Sequence, residues 1–533
     1  MKRPSADHRS VGSRQRGGFV LILVLVLISA MALAVHTFSS LALGDLVAGT
    51  NGLQQVRRRH LAESAIEFAA VSIVNNQPAA LAQPQQLQFA DGSVGRFLLL
   101  QGLSAGGDKP AYGLQNECSK LNLHTLSFRL SRKKQSRDRL LALPGMTPVI
   151  ADSIIDWIDE DHDESEFGAE ASWYLTRSPP VYPANRPLRT LSELLQVRGM
   201  TPELLWGEDA NGNGILDPEE DDGDATAPAD NADGILDAGL SQWLTLQSAE
   251  SGLGPDGAAG IWLNGDDPFV LFDEVQREFG TETARFVVAA RLNGIQWQDE
   301  VNGGQSTDPE IRRLERLEEV RERIRAQLGM SGQNVERFPR GERGGIVIAS
   351  PGLFRFRSLL DLFGGTVRAM VEGKDRVLKS PWPADAATIE RMLPRLQQVF
   401  RLHREISNPG RVNINTAAVP VLMTIPGITR AMAEAIHRGQ PDQQGKVAAD
   451  QQVVGWLLRR GIVTPAELRQ MAPFITTGGD VYSGIAVGLI KGEPSAALIH
   501  FVVDVSRQTE RIASFQDLPV ASAERLRLSW KKD

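Results

Sequence analysis

Residues 19–35 read FVLILVLVLISAMALAV, an uncharged run that follows a short basic leader and precedes almost five hundred polar-rich residues. No other stretch constrains the chain as much. A helix needs about 17–25 apolar residues to cross a bilayer, and this run is just long enough. Its upstream flank carries Lys2, Arg3, Arg9, Arg14 and Arg16, so the N-terminus is expected on the cytoplasmic side. A secretory signal peptide is the rival reading. Its apolar core is only about 7–15 residues and ends at a small-x-small site, which Ala30, Ala32 and Ala34 mimic. The continuation argues against it. Helix-compatible sequence runs on to about residue 74, interrupted only by Gly44, Gly49 and Gly52, and ends in the amphipathic block RRRHLAESAIEFAAVSIV.

The leader ends Arg16-Gly17-Gly18, and an aromatic residue and aliphatics follow. This resembles the class III signal of type IV pilins and pseudopilins. The resemblance implies cleavage between Gly18 and Phe19 by a prepilin peptidase, methylation of the new terminus, and retention of the apolar helix as a single-pass inner-membrane anchor. The bulk of the chain would then lie in the periplasm. Most such proteins carry Glu at the fifth mature position, where this chain has Leu23. In that departure it is similar to minor pseudopilin K of the type II secretion system. A carboxylate within the bilayer is costly unless paired, and the family's Glu is held to pair with a neighbour's amino group. Leu23 offers no such partner to a subunit above it, which suits a fibre tip. The resemblance further implies minor pseudopilins I and J and the inner-membrane secretion platform as partners.

The leader holds five basic residues and one acidic one, so its removal takes the formal charge from −8 to −12. Nucleic-acid binding is dominated by phosphate neutralisation, so no nucleic acid is expected as a partner of so acidic a body. Cys118 is the only cysteine, which excludes an intrachain disulfide. No GxSxG, HExxH, P-loop or CxxC motif nominates a catalyst, and the eight His are scattered.

The expected fold class is α+β. Residues 1–18 are the leader and 19–76 the anchor helix. Residues 77–119 begin a small antiparallel sheet, with β-type runs at 85–89 and 94–100 joined through Asp91-Gly92. That sheet is unfinished, and Val/Ile-rich runs at 473–533 supply its remaining strands. Between them lies a large inserted α-helical domain, 120–410, carrying an acidic calcium-loop insertion at 206–240 and followed by a second helix-hairpin-helix region at 411–472.

The insertion contains an internal repeat. KLNLHTL…LLALPGMTPVIADSIIDW at 120–157 matches RVNINTAAVPVLMTIPGITRAMAEAIH at 411–437, and TLSELLQVRGMTPELL at 190–205 is a half-copy. Pro144 and Pro426 end a first helix, Gly145 and Gly427 allow a sharp turn, and Thr147 and Thr429 cap a second helix. Such units are helix-hairpin-helix motifs, many of which bind DNA, so a membrane-anchored DNA receptor is the alternative function. The DNA-binding form uses Gly-h-Gly; here the second Gly is a Thr, and its side chain occupies the phosphate's approach. A packing role is the expectation.

Two acidic segments suggest a hard cation with oxygen ligands, namely calcium. Asp156, Asp159, Asp161, Asp163 and Glu170 crowd the loop after the first hairpin, beside Gly168-Ala169-Glu170 and Pro183-Ala184-Asn185-Arg186-Pro187-Leu188, stretches that resemble family members. The bland alternative is a solvated acidic turn. Residues 209–220 match an EF-hand loop at every ligand position: Asp209, Asn211, Asn213, Ile215 through its carbonyl, Asp217 and Glu220. Asn231, Asp233 and Asp237 repeat its core, with Ala229 and Leu240 at the terminal ligand positions. The alternative there is a flexible acidic insert. Between 241 and 405 the signals are structural: a helix pair at 269–293, a charged helix at 310–328, and an amphipathic helix at 388–404.

Overall fold

The computed structural model describes residues 17–75, 77–101, 111–126, 130–211, 214, 216–252, 260–297, 339–405, 407–441, 451–507, 511–519 and 521–522. The anchor run and its continuation form one helix, α1 (Gly17–Val74), about 87 Å long at the α-helical rise. From residue 19 to residue 53 every position is exposed, Leu23 included. Further along, Leu61, Ala62, Ala65, Ile66, Ala69 and Ala70 fall on one face and are buried.

That face lies on an antiparallel sheet. Its strands are β1 (Gln85–Gln88), β2 (Val94–Leu100), β3 (Val481–Ile490), β4 (Ser495–Asp504) and β5 (Arg511–Asp517), in the order β1-β2-β3-β4-β5. The β2–β3 register, from Leu100↔Ile485 to Gly95↔Ile490, joins the two ends of the chain as the sequence leads one to expect. Phe97, Leu99, Ala486, Ile499 and Phe501 pack toward α1, and Leu98, Ile485, Val487 and Leu498 form a second buried cluster. Neighbouring residues on one strand thus enter different clusters, which is why these runs read as continuously apolar. Arg57, Arg58 and Arg59 fasten the helix to two turns and the end of β5 through Asp91 (2.7 Å), Glu493 (3.7 Å) and Asp517 (3.2 Å).

The insertion contains two hydrophobic cores. The first gathers residues between Leu121 and Leu244, including α2 (Leu130–Leu141) and α3 (Pro148–Ile158). The second, between Leu263 and Ile475, includes α4 (Val419–Met423) and α5 (Arg430–Arg438). Both repeat copies turn alike. Gly145 (φ 75°) and Gly427 (φ 86°) occupy the left-handed region, and the Thr147 and Thr429 hydroxyls accept from Ile150 N and Met432 N, each at 3.3 Å. The strand entering each copy pairs in parallel with one that closes it: Leu121–Asn122 with Leu244–Thr245, and Val412–Asn413 with Ile475–Thr476. The half-copy keeps Gly199 (φ 84°) and the Thr201 cap, but its first helix is a 3-10 turn, Leu191–Gln196.

The second core departs from expectation in one respect. The paired helices Pro268–Phe279 and Thr281–Asn293 pack on a five-stranded sheet that a purely helical insertion does not provide. Its hairpin Gly365–Val371/Lys374–Lys379 turns on Glu372 (φ 55°) and Gly373 (φ 73°), the two-residue geometry that matches strand twist. The signal was VRAMV-EG-KDRVLK, alternating and short. The amphipathic helix expected at 388–404 runs Ala386–Val399, because Asp385 caps it and Phe400 leaves to pair with Ile261. The charged helix expected at 310–328 lies outside the described residues.

The two connections between sheet and insertion run side by side. Asn116 Nδ2 donates to Gly479 O (3.0 Å). Cys118 is fully buried where a Cβ on either Gly410 or Gly479 would strike its sulfur. Burial pushes this thiol well above its ordinary range, so it is held as an inert packing atom.

Candidate metal centre

The first acidic loop is built from the end of α3. Thr147 and Pro148 start that helix, Ile150, Ile154, Ile155 and Ile158 bury its apolar face, and Asp156 is turned inward at zero exposure. The chain then returns over it: Ser165 N and Oγ donate to the two Asp156 oxygens at 3.0 and 2.5 Å. A Cβ at Gly168 would collide with the Asp156 carboxylate, which accounts for the glycine before Ala169-Glu170. Asp152, one turn earlier, accepts from Arg137 (2.5 Å) and Phe167 N (3.2 Å).

Asp159 and Glu170 close the loop and are 3% and 4% exposed. Neither Glu170 oxygen has a hydrogen-bond partner, and neither has an Asp159 oxygen. Lys133 Nζ lies 2.8 Å from Asp159 Oδ2 and 3.4 Å from Asp161 Oδ2, at ion-pair distance from both. Asp161 and Asp163 stand at the exposed rim, where Asp163 N donates to Asp161 Oδ1 (3.0 Å). Asn185 joins from the later stretch: its N donates to Trp157 O (3.0 Å), its Nδ2 to Asp161 O (3.3 Å), and its Oδ1 is buried without a partner. Asn185 stands in a recognisable stretch but has no role legible from sequence; its φ of 43° is a hint available only in three dimensions.

Burial, then the Asp156 and Asp159 charges, push the Glu170 carboxyl up to about 7; burial likewise raises Asp156 and Asp159. The negative end of the α3 dipole adds to this potential. Orphaned carboxylate oxygens in a negative pocket are what a hard cation satisfies, so the donor set fits calcium. Among the described residues, however, no three His, Cys, Asp or Glu side chains converge closely enough to enclose an ion. The carboxylates therefore have to draw inward around one.

This electrostatics sets a pH dependence. Folded Glu170 holds its proton more tightly than unfolded Glu, so its contribution is present below about pH 4.5 and is lost as pH rises through about 7. In chelator the protein is expected to melt at lower temperature near pH 8 than near pH 5. Glu170→Gln is expected to flatten that difference, a comparison made by thermal melts of both proteins.

In the second segment, Asp209, Asn211, Asp217 and Glu220 come together. Asp209 and Glu220 are buried, Gly214 N donates to Asp209 Oδ2 (3.0 Å), Asn211 Nδ2 to Asp217 Oδ2 (2.8 Å), and Ala210 N to Glu220 Oε1 (3.0 Å). Asn213 and Ile215 lie outside the described residues. The degenerate repeat is not assembled in the same way. Asn231, Asp233 and Asp237 are exposed and accept from Asp233 N, Ile235 N and Gly239 N in local turns. Glu208, which the motif reading passed over, ties the two loops by accepting from Asn231 N (3.4 Å) and Asp237 N (3.1 Å).

At the two hairpins, Thr hydroxyls already take an amide of the second helix, leaving the turn no open phosphate cradle of the Gly-h-Gly kind. Gly18 and Phe19 fall in the first turn of α1, with Phe19 exposed; residues 1–16 lie outside the described residues.

Residues 119–206 match the family described as type II secretion system (T2SS), protein K. A putative type II secretion system protein K of Escherichia coli (strain K12) is 27% identical over 210 residues, or 36% of this chain and 60% of the relative. The chain thus spans about 60% of the length of the curated relative it matches. The crystal structure of the GspK-GspI-GspJ complex from the enterotoxigenic Escherichia coli type 2 secretion system aligns over 88% of this chain and 99% of that chain. Identity there is 12% and the TM-score 0.36, a likeness too loose to carry the comparison further. Residues 119–206 are thus similar to the type II secretion system protein K family, and a curated protein K is a relative of the chain.

Proposed function

We propose that this chain is a minor pseudopilin seated at the tip of a type II secretion pseudopilus, where it takes part in protein export across the outer membrane. The observation that carries the reading is the protein K domain at 119–206, inserted in a helix-and-sheet fold whose two halves pair as one sheet. Residues 19–35 anchor the chain in the inner membrane, and the remainder lies in the periplasm. The exposed apolar half of α1 extends well past the roughly 30 Å of a hydrocarbon core, which leaves it free for neighbouring helices. Minor pseudopilins I and J are the proposed partners, with the prepilin peptidase and the inner-membrane platform acting before them. The two Pro-Gly hairpins serve as helix-hairpin-helix packing modules of the inserted domain. Calcium is the proposed structural cofactor, held by Asp159, Glu170 and Asn185 with the rim carboxylates, and in the second segment by Asp209, Asn211, Asp217 and Glu220.

The test is the N-terminal residue of the protein isolated from cells with and without prepilin peptidase. Phe19 is expected in the first case and Met1 in the second; Met1 in both would overturn the assignment. Gly18→Glu is expected to leave the leader attached even when the peptidase is present.

A further inference from the structure

We propose that Lys133 is a built-in counter-ion that holds the place of a divalent cation at the end of α3, and that calcium enters by displacing it. The inference rests on the calcium reading above and deepens it.

Lys133 reaches across from α2 and contacts two carboxylates at once, Asp159 at 2.8 Å and Asp161 at 3.4 Å. Its ammonium bridges the two carboxylates as one shared positive charge, the position a cation would take. The pocket is also under-neutralised. Asp156, Asp159 and Glu170 are all buried, and neither Glu170 oxygen has anything bonded to it. Asp152, which faces α2 from the same helix, already has Arg137, and Asp156 has Ser165. Lys133 is therefore the positive charge that offsets Asp159 and Asp161.

A single ammonium satisfies two of the carboxylates and keeps them from drawing toward Glu170. A divalent cation carries twice the charge and takes six to eight oxygens, so it can gather Asp159, Glu170 and the Asn185 carbonyl that Lys133 leaves unbonded. The lysine stem is flexible, and its half-buried position lets the head swing into water as the cation arrives. Loading then tightens the loop onto α3 and releases the tether to α2.

The test uses the full chain in detergent, in a Glu220→Gln background that silences the second segment. The protein is stripped with chelator and titrated with Tb³⁺, read by energy transfer from buried Trp157. Lys133→Met is expected to bind about tenfold more tightly than its parent, since two charges at ion-pair distance interact by more than that factor requires. Lys133→Arg, which keeps the charge, is expected to bind like the parent, and Glu170→Gln to weaken binding about tenfold. Without cation Lys133→Met is expected to melt below the parent, and with saturating calcium to match it. If the parent binds Tb³⁺ and Glu170→Gln loses it, but Lys133→Met binds no more tightly, the counter-ion inference is overturned. Equal gains for the Met and Arg variants would overturn it as well. If parent and Lys133→Met both fail to bind, the calcium reading itself is wrong.

Discussion

Gly488→Ala is expected to separate α1 from the sheet. Gly488 lies on β3 under the helix, and a Cβ there would fall far inside van der Waals contact distance of the Arg58 carbonyl oxygen and 2.9 Å from Ala62 N. Both neighbours are helix backbone, so neither yields by a rotamer change. The alanines that face the sheet show that this approach is a designed closeness: Ala62, Ala65 and Ala69 are fully buried and leave room only for a residue without a side chain opposite. Overpacking a core costs about 1–3 kcal/mol where side chains relax; here the loss is expected to reach about 3 kcal/mol or more. Urea unfolding of the full chain in detergent measures it. Gly478→Ala, whose Cβ meets nothing within 4 Å, is the control and should change stability by less than about 0.5 kcal/mol. Similar curves for the two variants would show that the helix does not rest on β3 as described.

The second large effect is at Glu117, where the insertion leaves the sheet. This carboxylate is 4% exposed and accepts from Ser483 Oγ on β3 (2.5 Å), from Thr245 Oγ1 at the close of the first repeat, and from Lys120 Nζ (3.3 Å). Burial pushes its proton affinity up, but Lys120, Ser483 and Thr245 together outweigh burial and hold the carboxyl below its ordinary value of 4.5. Its folded pKa is thus depressed, so its contribution is present above about pH 4.5 and is lost as pH falls through the lower folded value. Glu117→Ala leaves an ammonium and two hydroxyls without their acceptor and is expected to cost about 3–5 kcal/mol near neutral pH. Glu117→Gln keeps an acceptor for the hydroxyls and is expected to cost about 1–2 kcal/mol, with a shallower loss of stability in acid than the wild type. Equal losses for Ala and Gln would show that the charge has no part in joining the sheet to the insertion.

Much of the fold was legible because its signals are local. The anchor run, the Asp91-Gly92 hairpin, the Pro-Gly turns with their Thr caps and the paired helices at 268–293 each depend on residues within a turn or two of one another. The five-stranded sheet in the second core was not legible. Its strands are short, one face is exposed at Val347, Met370 and Val377, and two of its turns rest on left-handed backbone at Glu372-Gly373 and Gly344-Gly345 that a charged sequence hides. At the candidate metal centre the acidic side chains were legible from their density. Asn185 and Lys133 were not, because they come from segments 15 to 37 residues away and acquire a role only through packing.

The sequence alone carried the apolar run at residues 19–35, the expectation of a leader before it, and the duplicated Pro-Gly turn between the two halves of a sheet. Charge, apolar length and turn chemistry act over a few residues and need no fold to operate. The tertiary structure alone decided that Gly95 to Leu100 pair with Ile485 to Ile490, that α1 can approach β3 only over Gly488, and which of the crowded carboxylates are buried without a partner. Those outcomes depend on which surfaces are brought together and how much water is excluded between them, and neither is encoded in any one segment.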